Sequence, residues 1–246
     1  MRILFLDILT DDQKLRSEIN KKIYKGKSYS EAVRTTFNFD KKGWAYCDAS
    51  KTDFPKSLKR FDAVVIGGST KDPLSGQEET WMKKTYLFIR RLIKNKKPIL
   101  GICGGLQFVA RALGKKVILN PRGKEFGAIS VRITKEGRED PLFKNLPRSI
   151  SVYSSHKCTI ESFDKKWALL ASSKTCGFQS FAVGDRIRLT QFHPEMSTKH
   201  IRALAKMRRQ TLNQTLDDRK SAGKQIIRNF LGMVGKIDKK RAPDIG

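Results

Sequence analysis

A cysteine between glycines is the first residue in this sequence that could do chemistry. Cys103 follows the apolar run from Ile99 to Ile102 and precedes Gly104 and Gly105. The run predicts a short buried strand, and the apolar residues after it recur at helical spacing. A strand, a Gly-x-Cys-x-Gly turn and a helix form a nucleophile elbow, whose small residues permit strained backbone angles. The helix N-terminus then favours a thiolate at Cys103 and can bind an oxyanion. A buried structural cysteine is the alternative.

Two residues far downstream supply the base that a nucleophilic cysteine needs. The segment Gln-Phe-His-Pro-Glu at 191–195 contains His193 and Glu195. Side chains two positions apart on an extended segment face the same way. The carboxylate can therefore hold one ring nitrogen while the other faces Cys103. The chain has only 3 histidines, and this one ends an apolar run beside a carboxylate. We predict that Cys103, His193 and Glu195 are catalytic, in preference to a purely structural role for the histidine.

Together the two segments resemble a known family. They read GICGGLQFVARALG at 101–114 and QFHPE at 191–195. In this order and at this spacing they are similar to the class I, triad-type glutamine amidotransferase domain. The chain looks most like the stand-alone proteins that are similar to the glutaminase domain of GMP synthetase. The resemblance covers about residues 1–197. It implies hydrolysis of the side-chain amide of glutamine, or of another γ-glutamyl compound, through a cysteine thioester with release of ammonia.

An oxyanion hole is also expected from a pair of glycines. Gly67 and Gly68 follow the apolar run at 61–66. This pair of glycines predicts a loop at the carboxyl edge of the sheet. In the resembled family a Gly-Gly-Pro loop at this point gives one oxyanion contact and the residue after the nucleophile gives the other. Carried over, these are the backbone N–H groups of Gly68 and Gly104. Ser69 stands where the family often has proline.

Three further residues are expected to bind substrate. Gln107 lies one helical turn after Cys103 and matches a family glutamine that helps to hold the amino acid end of the substrate. Ser155 and His156 match the start of the family's Ser-His-Gly-Asp segment, which lines the same pocket. Here Lys and Cys replace the Gly and Asp of that segment, which predicts altered pocket contacts. A surface position is the alternative for Gln107.

The elements that must position these residues alternate along the chain. Helices are expected from Thr10 or Asp11 to about 20–23, from Ser30, over 76–95 and after Cys103. Strands are expected at 2–9, 44–47, 61–66, 99–102, 117–119, 127–133, 149–154, 168–171, 178–183 and 187–192. The pattern predicts an α/β fold with a mostly parallel central sheet and helices on both faces. A flavodoxin-like sheet agrees with the resemblance. A smaller antiparallel portion is expected at about 126–190.

Composition limits the class of protein. The 246 residues contain no run of eighteen apolar residues, so we expect no membrane span. The first apolar stretch is too short for a signal peptide and is better explained as a strand. The 4 cysteines show no Cys-x-x-Cys pairing and no metal-like cluster with histidine, which favours reduced thiols in a cytoplasmic enzyme. The proposed chemistry requires no metal or organic cofactor.

The segment after the second motif is expected to be different in character. Residues 198–246 are rich in Lys and Arg and carry apolar residues at helical spacing. We predict a basic helical extension, packed on the domain formed by 1–197, with its basic residues facing outward. The net charge of the chain is +27. The basic residues form either a solvated helix face or a docking surface for an acidic partner or polyanion, to which such a charge is attracted.

The fate of the released ammonia leaves three functional hypotheses. The sequence contains no Gly-x-x-x-x-Gly-Lys-Ser/Thr phosphate loop, so the chain is not expected to activate an acceptor alone. It either supplies ammonia to a separate synthetase subunit or is a free-standing γ-glutamyl peptidase. The third hypothesis is a binding or regulatory module with an idle triad. The intact Cys, His and Glu set argues against that one.

Overall fold

The computed structural model describes residues 1–212 and 214–239 and is built around a nine-stranded sheet. The strands are β1 (Ile3–Asp7), β2 (Trp44–Asp48), β3 (Ala63–Ile66), β4 (Ile99–Ile102), β5 (Val117–Leu119), β6 (Glu125–Ile133), β7 (Ser149–His156), β8 (Cys158–Ile160), β9 (Ala168–Ser172), β10 (Ser180–Val183) and β11 (Ile187–Thr190). The helices are α1 (Gln13–Lys22), α2 (Tyr29–Thr36), α3 (Thr80–Lys94), α4 (Gly104–Ala112), α5 (Lys135–Glu139), α6 (Thr198–Arg208) and α7 (Gly223–Lys239).

The sheet changes from parallel to antiparallel at one strand. Its order is β2-β1-β3-β4-β11-β10-β9-β6-β7. The first five strands pair in parallel, and every pairing beyond β11 is antiparallel. β5 and β8 form a separate antiparallel pair. The predicted α/β fold with a mostly parallel central sheet is confirmed. Most of the antiparallel strands belong to the same sheet, because β11 pairs with β4 on one side and with β10 on the other.

The parallel half of the sheet is buried on both faces, and its strands are apolar. Ile3 and Phe5 belong to one core, whereas Leu4 and Leu6 belong to the other, as the alternation of strand side chains requires. Buried residues of α1, α2, α6 and α7 complete the first core, and those of α3 and α4 complete the second. Strands covered on both faces must be apolar throughout. This explains the unbroken runs in the sequence.

The structure departs from the predicted elements where the signal is short. α3 begins at Thr80 instead of residue 76, because Gly76 takes a φ of +89°, which a helix cannot contain. α5 has 5 residues and β8 has 3, so neither is long enough to show a period. α5 depends on its cap, in which the Thr134 hydroxyl accepts from the Gly137 N–H at 2.9 Å.

The helices after residue 197 bury their apolar residues in the first core. Phe230 and Ile226 of α7 are fully buried, and Leu204 of α6 is 6% exposed. Residues 213 and 240–246 of the predicted extension lie outside the described residues, so its basic residues Lys240 and Arg241 do too. No described helix combines the length and apolar character that a membrane span requires.

The close packing of α4 on β3 gives a test of the fold. A Cβ on Gly105 would lie 2.4 Å from the carbonyl oxygen of Ile66, so Gly105→Ala must push backbone apart. We expect the substitution to lower the free energy of unfolding by about 1–3 kcal/mol in urea titrations. Gly232→Ala on α7 is the control, because its Cβ would meet nothing within 4 Å. Alanine there should be neutral or stabilising by up to about 1 kcal/mol. Equal effects of the two changes would contradict the packing described.

Candidate active site

Three neighbouring parallel strands bring the predicted residues to one edge of the sheet. β4 pairs with β3 on one side and with β11 on the other. The N–H of Cys103, directly after β4, donates to the carbonyl oxygen of Thr190 at the end of β11, at 2.7 Å. The carboxyl ends of these strands therefore place the turns at 67–69, 103–105 and 191–195 side by side. This edge is where open α/β sheets bind ligands.

The turn at Cys103 has the geometry that the sequence predicts for a nucleophile elbow. Cys103 takes φ +51° and ψ −102°, between β4 and the first residue of α4. A positive φ is unfavourable for a residue with a side chain and persists only where the surroundings enforce it. Gly104 packs so closely that a Cβ there would lie 2.6 Å from the Ser69 nitrogen. The turn places Cys103 on the wall of a cleft of about 300 Å³.

His193 and Glu195 contact each other, although not on the extended segment that was predicted. The ring Nδ1 lies 2.8 Å from Oε1 of Glu195, and both side chains are buried. β11 ends at Thr190, and His193 is fixed instead by an isolated antiparallel bridge to Tyr153. Pro194 and Glu195 then form a turn that brings the carboxylate back to the ring. The extended backbone was wrong because the strand ends at Thr190, two residues before the end of the apolar run at Phe192.

The charges around His193 favour a protonated ring. Burial alone would lower its pKa, but the negative charges of Glu195 and Cys103 outweigh burial and raise the pKa to about 10. Interaction of the ring with the Cys103 sulfur thus contributes to the raised pKa of His193. An imidazolium beside a cysteine is the arrangement that stabilises a thiolate nucleophile.

The first predicted oxyanion donor is engaged elsewhere. The N–H of Gly68 donates to the hydroxyl of Tyr29 at 2.7 Å, and that hydroxyl donates in turn to Oε1 of Glu195 at 3.2 Å. Gly68 is therefore directed at Tyr29 in this structure and not at the sulfur. Gly104, the second predicted donor, begins α4, where an N–H has no acceptor within its own helix. It lines the cleft beside Cys103.

The predicted substrate-binding residues line the same cleft. Gln107 is buried, and its amide nitrogen lies 3.4 Å from the Cys158 carbonyl and 3.3 Å from Oε1 of Gln191. The Ser155 carbonyl oxygen lies 3.9 Å from the Cys103 sulfur. The structure thus places Gln107 and Ser155 in the same cleft as Cys103, with the Gln107 nitrogen already hydrogen-bonded in the cleft wall.

His156 is fixed in the cleft wall by a buried polar network. Its Nε2 lies 2.8 Å from Oε2 of Glu125, and its Nδ1 lies 3.0 Å from the Cys158 carbonyl. Glu125 also accepts from Ser173 at 2.6 Å and from Gln179. His156 can therefore shape the cleft and hold Glu125 in place, but both of its ring nitrogens are already engaged.

Sequence reasoning missed four residues around Cys103 and His193. Gln191 lies within the quoted motif, and its amide nitrogen is 3.6 Å from the Cys103 sulfur. Glu125 precedes the predicted strand and faces the cleft. No sequence pattern indicates a role for Tyr29, because only the folded structure brings it into contact with Gly68 and Glu195.

Arg208, the fourth, was predicted to face outward and does not. Although the residue as a whole is exposed, its guanidinium reaches the cleft and donates to the Ser155 hydroxyl at 2.7 Å. Burial of that group lowers the pKa of Arg208. Its position at the last residue of α6 allows the long side chain to extend past the helix end to the sheet edge.

The sequence is similar to those of known proteins. Residues 17–206 match the sequence model of the family described as glutamine amidotransferase class-I. Gamma-glutamyl peptidase 3 of Arabidopsis thaliana is 29% identical over 184 residues, which are 73% of this chain and 72% of that protein. The glutamine-hydrolyzing GMP synthase of Caldanaerobacter subterraneus subsp. tengcongensis is 29% identical over 190 residues, which are 76% of this chain but 31% of that protein.

A solved structure also shares the fold. A glutamine amidotransferase from Thermotoga maritima matches with a TM-score of 0.74 and 20% identity, over 95% of this chain and 98% of that one. At this identity the similarity concerns the fold alone.

The raised pKa of His193 predicts a pH dependence of stability. The folded ring keeps its proton up to about pH 10, whereas an unfolded histidine loses it near 6.5. Its contribution is therefore fully present below about pH 6.5 and is lost as the pH rises towards 10. We expect the free energy of unfolding of the wild type to fall, relative to that of His193→Gln, by about 1 kcal/mol per pH unit between pH 7 and 10. Parallel pH curves in urea titrations would contradict a charged ring.

Proposed function

Because this chain belongs to the class-I glutamine amidotransferase family, we propose that it hydrolyses the side-chain amide of glutamine or of another γ-glutamyl compound. The observation that carries the proposal is the pairing of a strained cysteine elbow with a buried histidine whose ring contacts Glu195 at 2.8 Å. A nucleophile, a base and a group that orients the base are the parts that acyl transfer requires.

Each residue has one role in the proposed reaction. The Cys103 thiolate attacks the side-chain carbonyl carbon, and the Gly104 N–H stabilises the oxyanion. His193 donates its proton to the leaving nitrogen as the C–N bond breaks, which leaves a thioester on the sulfur. His193 then accepts a proton from water, which attacks the thioester and releases glutamate. Glu195 holds the ring in position and stabilises its charged form.

The second oxyanion donor requires a local rearrangement. Gly68 is 2.7 Å from Tyr29, so its N–H must exchange the tyrosine hydroxyl for the substrate oxygen before it can serve. Gln107 and Ser155 would hold the substrate, and His156 would act through the position of Glu125.

Two variants of this activity differ in the leaving group. A glutaminase that supplies a separate synthetase subunit releases ammonia, whereas a γ-glutamyl peptidase releases a larger amine. The match to GMP synthase favours glutamine as substrate, and the match to gamma-glutamyl peptidase 3 favours a γ-glutamyl peptide. The cysteine chemistry is the same in both. An idle binding module is disfavoured, because it would not need the buried ring and carboxylate next to the sulfur.

Labelling with a glutamine-like electrophile tests the nucleophile. We expect one adduct, on Cys103, by mass spectrometry of digested protein. Burial raises the pKa of Cys47 and of Cys158 to about 12, and that of Cys176 as well, so these thiols should not react. Cys103→Ala should abolish glutamate release with the circular dichroism spectrum unchanged. Cys47→Ala is the control and should remain active. An adduct on any of the other three cysteines would overturn the assignment.

We also propose that the exposed basic residues in the described part of 198–239, apart from Arg208, form a docking surface for an acidic partner or polyanion. Arg209 and Lys220 are exposed and belong to this set. Arg209→Glu with Lys220→Glu should lower the salt concentration that elutes the protein from heparin. Lys41→Glu with Lys42→Glu makes the same change in net charge at exposed positions elsewhere and serves as the control. If both double variants lower the eluting salt concentration equally, binding depends on net charge alone and the proposed docking surface is refuted.

A further inference from the structure

The catalytic cleft has two lobes of opposite character. The acyl lobe, of about 300 Å³, is lined by Cys103, Gly104 and Gln107 together with charged side chains. The amine lobe, of about 310 Å³, is lined by His193 and mainly by apolar side chains. Four residues line both lobes: Ser69, Thr70, Ser155 and Arg208. The two lobes therefore adjoin at these four residues, with Cys103 lining one lobe and His193 lining the other.

The chemistry decides which part of a substrate enters each lobe. When the C–N bond of a γ-glutamyl amide breaks, the acyl carbon is bonded to the Cys103 sulfur and the nitrogen takes the proton from His193. The glutamyl group must therefore lie on the cysteine side. Any substituent on the leaving nitrogen must lie on the histidine side, in the amine lobe.

The lining of each lobe matches this division. The acyl lobe contains Asp72, Lys124, Glu125 and Lys157, which suit the charged amino acid end of a glutamyl group. Apolar residues of α1 and the position after it, of α6 and of the turn before α6 line the amine lobe: Leu15, Ile19, Ile23, Leu204, Met207 and Met196. Ammonia as the leaving group has no apolar part that these side chains could bury. A volume of about 310 Å³ is at the lower end of the range for small-molecule sites.

We propose that the amine lobe binds the apolar side chain of the leaving amine, so that the preferred substrates are γ-glutamyl conjugates of apolar amino acids. This rests on the proposed γ-glutamyl hydrolysis and assigns its substrate class. Burial of a leucine-sized side chain contributes about 1.5–3 kcal/mol, which corresponds to roughly 10–150-fold in kcat/KM when it is realised in the transition state.

A substrate series on the full chain tests the proposal. Glutamate release is measured with glutamine, γ-glutamyl-glycine, γ-glutamyl-aspartate and γ-glutamyl-leucine. The leucine and glycine compounds differ only in the isobutyl group. We expect kcat/KM for γ-glutamyl-leucine to exceed that for γ-glutamyl-glycine by roughly 10–100-fold. The aspartate compound should be no better than the glycine compound.

The possible failures are distinguishable. If glutamine is hydrolysed and γ-glutamyl-leucine is no better than γ-glutamyl-glycine, the inference is wrong and the proposed function stands. The lobe would then be covered by something else, such as a segment of a synthetase subunit. If no member of the series releases glutamate, the proposed function fails and the inference fails with it.

A pair of tryptophan variants locates the effect. Leu15 is half-buried on α1 at the lobe, and Lys14 beside it is exposed and does not line the lobe. Leu15→Trp fills the lobe and should lower the ratio of kcat/KM for γ-glutamyl-leucine to that for γ-glutamyl-glycine at least about 10-fold. Lys14→Trp should keep the wild-type ratio. If Leu15→Trp also keeps that ratio, the isobutyl group binds elsewhere and the proposal is overturned.

Discussion

The strained backbone at Cys103 is the constraint on which the rest of the site depends. A non-glycine residue at φ +51° costs on the order of 1–3 kcal/mol, which the surroundings must offset. The Cys103 N–H is held by Thr190 at 2.7 Å on one side. On the other side, Gly104 and Gly105 pack against 66–69 too closely for any side chain. Because these contacts join β4 to both of its neighbours, the centre of the sheet enforces the strain, and the sulfur is held in place before any substrate arrives.

A single tyrosine hydroxyl connects the loop at Gly68 to the carboxylate of Glu195. Tyr29 accepts from Gly68 and donates to Oε1 of Glu195, and the same oxygen contacts His193. Oε2 of Glu195 is buried with no hydrogen-bond partner among the described residues. The charge on Glu195 is thus stabilised through one oxygen by His193 and Tyr29. Any turn of Gly68 towards a substrate oxygen changes what Tyr29 offers to Glu195, so oxyanion binding and the charge on the histidine are not independent.

Most of the fold and the central part of the site could be predicted from the sequence, for a physical reason. Strands buried on both faces and a glycine-flanked cysteine leave local patterns, and β4 and β5 were predicted with their observed bounds. Contacts between distant segments leave none. The bond between Gly68 and Tyr29 joins residues 39 apart, and Arg208 was assigned to solvent because its reach past the end of α6 depends on the angle of that helix to the sheet. The backbone at His193 was predicted as extended because apolar residues continue past the last ladder bond.

In the proposed reaction, the reacting groups and the lining of the amine lobe come from different parts of the molecule. The sulfur, its glycine neighbours and the imidazole come from turns at the ends of β3, β4 and β11, whose positions are fixed by the sheet. The apolar wall of the amine lobe comes mainly from α1 and α6, which pack outside the sheet and contain none of Cys103, His193 and Glu195. Substitutions on these two helices can therefore change which leaving group fits without disturbing the strained turn. A fold arranged in this way can keep one hydrolytic centre while the amine that it releases varies with the facing side chains of two helices.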